Sequence, residues 1–169
     1  VWRKVRPTTG RVKKALFDIL GPSVKGSKFL DLFAGTGAIG LEALRRGAQM
    51  AVFVEVNERL ARRIGEEIEK SWHGKAIVIK GDAISAIRRL SGEGHIFDIV
   101  FMDPPYGGGM AEAAISKLSS SEVIRDNGIV VLEHSSRDGI GERFGDLILY
   151  RRERYGDTML SFFLKKGEA

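Results

Sequence analysis

The sequence predicts an α/β protein: a doubly wound, mostly parallel sheet with a C-terminal antiparallel hairpin on one edge. Three observations carry this. Short apolar runs alternate with stretches of helical periodicity, the pattern of buried parallel strands covered on both faces. A glycine-rich turn follows the first run and opens a helix. The last two extended stretches are joined by Gly156-Asp157, a hairpin signal.

The elements follow in order. Arg11–Leu20 reads as a helix, because Val12, Ala15, Leu16, Ile19 and Leu20 recur at helical spacing. Thr8 and Thr9 offer its cap, and Gly21-Pro22 ends it. Phe29–Phe33 is the first strand, followed by a helix to about Arg46. Ala51–Val54 is the second, followed by a helix over Glu58–Lys70 that Asn57 caps. Ala76–Ile79 and Ile99–Met102 are the third and fourth, followed by helices near Ala83–Leu90 and Met110–Leu118. Ile129–Leu132 is the fifth, and Asp146–Tyr155 with Thr158–Lys165 forms the hairpin. One domain is expected over 1–169, with a basic N-terminal segment and helix over 1–20 and the α/β core over 28–169.

The 169 residues carry 27 Lys+Arg against 22 Asp+Glu, a net charge of +5, and no cysteine. A disulfide framework, a thiolate zinc site, an iron–sulfur cluster and a cysteine nucleophile are thereby excluded. His73, His95 and His134 stand far apart without ligand spacing, so no metal is expected. Hydrophobic residues make up 43% and charged residues 29%, as in an ordinary globular protein, and no apolar run has membrane-spanning length. A cytoplasmic monomer is the expectation. The chain opens on Val1 rather than Met, as a fragment or a processed chain does. Arg3, Lys4, Arg6, Arg11, Lys13 and Lys14 all precede the first acid, Asp18, and Arg151, Arg152, Arg154, Lys165 and Lys166 form a second cluster. Such clusters face phosphates or simply keep a surface solvated, and composition does not choose between the two.

In such a sheet ligands bind beyond the carboxyl ends of the strands, where strand order reverses. The run Asp31-Leu32-Phe33-Ala34-Gly35-Thr36-Gly37-Ala38-Ile39-Gly40 holds G-x-G-x-x-G after a strand and before a helix. Glu55 closes the second strand at the roughly 20-residue offset where a carboxylate accepts from ribose hydroxyls. A dinucleotide fits poorly. Asp31, just before the glycines, would repel a pyrophosphate but suits a cationic amino group, and Asp82 after the third strand can accept from an adenine amine. S-adenosylmethionine, with adenine, ribose, ammonium and sulfonium groups and no phosphate, meets these demands.

Asp103-Pro104-Pro105-Tyr106 closes the fourth strand. Prolines fix φ and donate no amide hydrogen, so the turn is stiff and its carbonyls stay available. The Asp103 carboxylate and the Pro104 carbonyl can take the two hydrogens of an exocyclic NH₂ group. That arrangement aims the nitrogen lone pair at a methyl donor, while Tyr106 stacks on the base. Without a ligand, the same residues would read as a rigid loop capped by a tyrosine.

Together these residues resemble the bacterial 16S rRNA guanine-N2 methyltransferases, the small-subunit type D family. The resemblance runs through Arg6-Pro7-Thr8-Thr9, Leu30 to Leu44, Val54-Glu55, Gly81-Asp82-Ala83, Asp98 to Tyr106 and Tyr155-Gly156-Asp157-Thr158. It implies a Rossmann-like S-adenosylmethionine-dependent methyltransferase fold and methylation of one guanine amine in 16S rRNA, within the small ribosomal subunit or its assembly intermediate. The cofactor-binding candidates are Asp31, Phe33, Ala34, Gly35, Thr36, Gly37, Glu55, Val56, Asn57, Asp82 and Ala83. Asp103, Pro104, Pro105 and Tyr106 are the catalytic candidates, and Arg3, Lys4, Arg6 and Arg11 the RNA-binding ones. The chain departs from the family in lacking most of a basic segment before Arg6 and in carrying Gly10 where many relatives have an acid. Three other readings remain open on motif chemistry: an adenine-N6 methyltransferase, an NAD-dependent oxidoreductase, and a catalytically silent RNA-binding module.

Overall fold

A computed structural model describes residues 9–167; Arg3, Lys4, Arg6 and Thr8 lie outside that range. Helix α1 spans Gly10–Leu20, and the Thr9 side chain caps it by accepting from the Val12 N–H at 3.3 Å. After a 3₁₀ turn at Gly21–Ser23 the chain alternates: β1 (Lys28–Leu32), α2 (Ala38–Arg45), β2 (Met50–Glu55), α3 (Glu58–Ser71), β3 (Ala76–Lys80), α4 (Ala83–Gly92), β4 (Phe97–Met102), α5 (Met110–Ser120) and β5 (Ile124–Ser135). Strands β6 (Arg143–Phe144), β7 (Leu147–Tyr155) and β8 (Thr158–Lys165) complete it. Asn57 caps α3 and Asp82 caps α4, each accepting the backbone N–H three residues on.

Among the described residues the strands form one eight-stranded sheet in the order β3-β2-β1-β4-β5-β8-β7-β6. The first five are parallel, and β8 runs antiparallel to both β5 and β7. Strand alternation sends Phe29, Phe53 and Phe101 into the core with α1, α2 and α3. Leu30, Val52, Val54 and Val100 face α4 and α5 on the other side. These side chains are almost wholly buried, each stabilising the fold by about 1.5–3 kcal/mol before entropy. No described helix is long and apolar enough to cross a membrane.

The expected doubly wound sheet and terminal hairpin are both present, with three differences. Strand β1 stops at Leu32 because Phe33 turns to φ 60°, the left-handed region. Strand β5 starts at Ile124, well before the apolar run, and its pairing with β4 shifts register between Phe97 and Ile99. Its polar Asp126-Asn127-Gly128 passage hid the early half. There Asn127 takes φ 64°, and a Cβ on Gly128 would sit 2.6 Å from Ile124 Cγ2. Strand β6 is an extra edge strand of two residues, too short to carry a periodic signal.

Candidate active site

Strand order reverses between β1 and β4, and the candidate residues gather at the carboxyl ends of the strands around that point. The glycine turn is held by two carboxylates rather than by its own side chains. Gly37, at φ 81°, gives α2 no side-chain cap. In its place Asp31 reaches from β1, and its Oδ2 accepts the Gly40 N–H at 3.0 Å. Glu55 bridges the turn to the next connection: Oε1 accepts from Gly35 N at 2.7 Å and Oε2 from Asn57 N at 2.7 Å. The Ala34 N–H donates to Val54 O, so the turn is also stitched to β2 by backbone. Gly40 is needed for packing, since a Cβ there would lie 2.3 Å from the Phe53 ring. Phe33 holds a backbone conformation that non-glycine residues rarely adopt, a strain often found at binding sites.

Each predicted cofactor residue can now be placed. Phe33, Ala34 and Gly35 are half-buried in the turn and Thr36 is exposed on it, while Gly37 is buried against Ile64. Val56 is 68% exposed, an apolar side chain presented to solvent between β2 and α3. Asp82 is exposed, and its bonds to Ser85 hold its carboxyl below the usual range. Ala83 is buried as the first residue of α4. Asp31 is buried beneath the turn. Burial pushes its pKa up to about 8, against the Gly40 hydrogen bond and helped by the Glu55 charge.

The Asp103-Pro104-Pro105-Tyr106 corner leaves β4 one strand from the glycine turn. Asp103 is half-buried, Pro104 is buried, and Tyr106 is 47% exposed. Gly107, Gly108 and Gly109 all have positive φ, and Gly109 leads into α5. A cavity of about 250 Å³ opens beside this corner, walled by Pro104, Pro105, Tyr106, Met110, Glu133, His134, Arg137 and Ile140 among others. The parallel register pairs Met102 with Leu132, so the next residues, Asp103 and Glu133, stand side by side. Burial raises the Asp103 pKa well above the carboxylate range. The Glu133 charge and hydrogen bond raise it further, and Asp31 adds to this.

Glu133 was not among the sequence candidates. In sequence it is only an acid directly after the apolar run Ile129–Leu132, and the pairing of β4 with β5 is what gives that position meaning. The loop over 136–141 was missed because it has no periodicity. It is fixed by Ser136 N donating to Asp157 O at 2.8 Å and by Arg152 Nη2 donating to Ile140 O at 3.1 Å. Arg152 Nε also donates to Ser161 Oγ at 2.8 Å, and Ser161 Oγ lies 2.7 Å from His134 Nε2. Burial lowers the His134 pKa, against the Ser135 backbone bond. Of the basic candidates, the described one is Arg11. It is exposed on α1, with its guanidinium 5.9 Å from the Tyr155 ring. Strand pairing brings Tyr155 and Thr158 to the Ser135 end of β5, so Arg11 stands at the rim on the active-site side of the sheet.

The fold and this arrangement of strand-end acids define the class: a Rossmann-like methyltransferase of the S-adenosylmethionine-dependent type. The family model "Conserved hypothetical protein 95" matches residues 2–164. The chain is 30% identical to Ribosomal RNA small subunit methyltransferase D of Escherichia coli (strain K12), over 97% of this chain and 81% of that one. The chain belongs to this family, that of the small-subunit rRNA methyltransferases D. The solved structure of yhhF from Escherichia coli aligns with 96% of this chain and 88% of its own, at TM-score 0.87 and 29% identity. The Thermus thermophilus 16S rRNA N2 G1207 methyltransferase, solved with AdoMet and guanosine, aligns with 96% of this chain and 44% of its own, at TM-score 0.74 and 26% identity.

Proposed function

We propose that this chain transfers a methyl group from S-adenosylmethionine to the exocyclic N2 amine of a guanine in 16S rRNA, on the small ribosomal subunit or its assembly intermediate. The observation that carries the reading is the stiff Asp103-Pro104 acceptor corner, one strand from a glycine turn tied down by Glu55. The residues fit the cofactor. The left-handed turn at Gly35 and Gly37 lets a ligand approach backbone closely. Glu55 keeps a second lone pair on each oxygen for ribose hydroxyls. Val56 offers an apolar surface to adenine, and Asn57, Asp82 and Ala83 stand at the neighbouring helix starts. Asp31, buried under the glycine turn with its Oδ2 on the Gly40 N–H, is the acid that an ammonium of the cofactor would meet and draw into its charged form.

The bound cofactor supplies an electrophilic methyl carbon: the carbon–sulfur bond breaks with its electron pair going to sulfur as the nitrogen–carbon bond forms. The chain's part is alignment and exclusion of water. An aromatic amine is a poor nucleophile because its lone pair is delocalised into the ring. Asp103 and the Pro104 carbonyl accept its two hydrogens on one side and leave the lone pair facing the methyl. The methylated nitrogen then sheds a proton, which the Asp103 carboxyl is placed to accept. Tyr106, at the cavity wall, stacks on a base turned out of the RNA. Arg11 stands at the rim to contact phosphates, and Arg3, Lys4 and Arg6 precede it in sequence as further basic candidates. The guanine assignment is supported by the relatives: the Thermus enzyme acts on a guanine N2.

The test is transfer from labelled cofactor into small subunits that lack the modification, followed by digestion to nucleosides. N2-methylguanosine is the expected product. N6-methyladenosine would replace the guanine assignment with an adenine one, and no transfer would remove the reading altogether.

A further inference from the structure

Asp103 and Glu133 raise a question that the acceptor role alone does not answer. Two carboxyls side by side on adjacent parallel strands repel when both are charged, yet strand register and burial hold these two next to each other. Two carboxyls in contact bond to each other when one of them holds a proton. Glu133 is 5% exposed, on the strand face where Ile129 and Val131 precede it. A buried carboxyl in such a place costs free energy unless it has a partner. Its partner belongs to the reaction corner, and Glu133 itself forms part of the cavity wall with Pro104 and Tyr106.

We propose that Glu133 is a positioning residue for methyl transfer: its hydrogen bond fixes the Asp103 carboxyl so that one oxygen is occupied and the other is left for the target amine. This rests on the methyltransferase reading above. Asp103 follows Met102 at the start of the proline turn, so its backbone is stiff while its side chain can still rotate. The bond removes that freedom. The third acid of the cluster, Asp31 on β1, acts on Asp103 through charge, whereas Glu133 acts through charge and a directed bond.

The experiment compares Glu133→Gln with Glu133→Met. Glutamine can donate to Asp103 through its amide; methionine fills a similar volume but cannot. Turnover into unmodified small subunits, calorimetric affinity for S-adenosylhomocysteine and melting temperature are measured for each. The expected result is a kcat lowered about tenfold to a hundredfold in Glu133→Met, at or below the low end of the roughly 10²–10⁴-fold that a proton-transferring group itself supplies. Cofactor affinity should stay within about twofold of wild type, and Glu133→Gln should rescue most of the lost turnover. Equal turnover in the two variants would overturn the proposal, as would loss of cofactor affinity in Glu133→Met. Should Glu133→Met fail to fold, Glu133→Asp keeps the acid but shortens its reach. It should lose at least about fivefold in kcat, and wild-type turnover there would likewise overturn the proposal. An inactive wild type would instead count against the methyltransferase reading itself.

Discussion

Two pairs of acids flank the switch point of this sheet, and they are used differently. Asp31 and Glu55, at the ends of β1 and β2, are committed to backbone: together they accept from Gly35, Gly40 and Asn57. Asp103, just past the end of β4, and Glu133, beside it on β5, stand next to each other in register, and the Glu133 charge helps to raise the Asp103 pKa. The first pair shapes a turn that has no side chains of its own to stabilise it. The second keeps acceptor capacity beside an open cavity. One half of the site is therefore preorganised by the fold, and the other half is completed by the ligand it receives.

The comparison predicts a separation of binding from chemistry. The largest effect is expected at the second pair: Asp103→Ala should lower single-turnover methyl transfer by about a thousandfold, since it removes an acceptor of the amine. Its affinity for S-adenosylhomocysteine should stay near wild type by calorimetry. Glu55→Ala should do the reverse. Leaving Gly35 N and Asn57 N without their acceptor and removing the proposed ribose contact should weaken cofactor binding by about tenfold to a hundredfold, or roughly 1.5–3 kcal/mol.

Smaller effects test how the first pair supports the fold. Gly40→Ala places a Cβ 2.3 Å from Phe53, which should cost about 1–3 kcal/mol of stability in denaturant titration. Adding Phe53→Leu should recover part of it. The smallest effect is a pH slope. Asp31 titrates near 8 in the folded protein against an ordinary 3.8, so the folded state holds a proton that the unfolded state has lost between those values. Stability from this group should fall as pH rises through that window. Thermal melts from pH 5 to 8 should show a steeper decline for wild type than for Asp31→Asn.

The same contrast governs what was legible in sequence. The glycine turn and Glu55 form a spaced motif, and the Asp103 corner is a contiguous one, so both could be read directly. The doubly wound sheet followed from short buried runs alternating with amphipathic helices. Glu133 was missed because its meaning comes from register: it matters only once Met102 is known to pair with Leu132. Asp31 could be singled out as an acid near the glycines, but its role as a remote cap for Gly40 is a contact between elements that spacing does not encode. The early half of β5 was hidden because Asn127 and Gly128 read as a turn, while in the fold they let the strand pass through an irregular register.

The central claim is that the glycine turn and the Asp103 corner serve one pocket. A crystal structure of this protein with S-adenosylhomocysteine tests it most directly. The account predicts the ribose on Glu55 and the sulfur at the mouth facing Asp103 and Pro104, with room for a methyl and an amine at the near-attack separation of about 3–3.5 Å. A sulfur directed away from Asp103, or an adenosine seated off the Gly35–Gly37 turn, would contradict it.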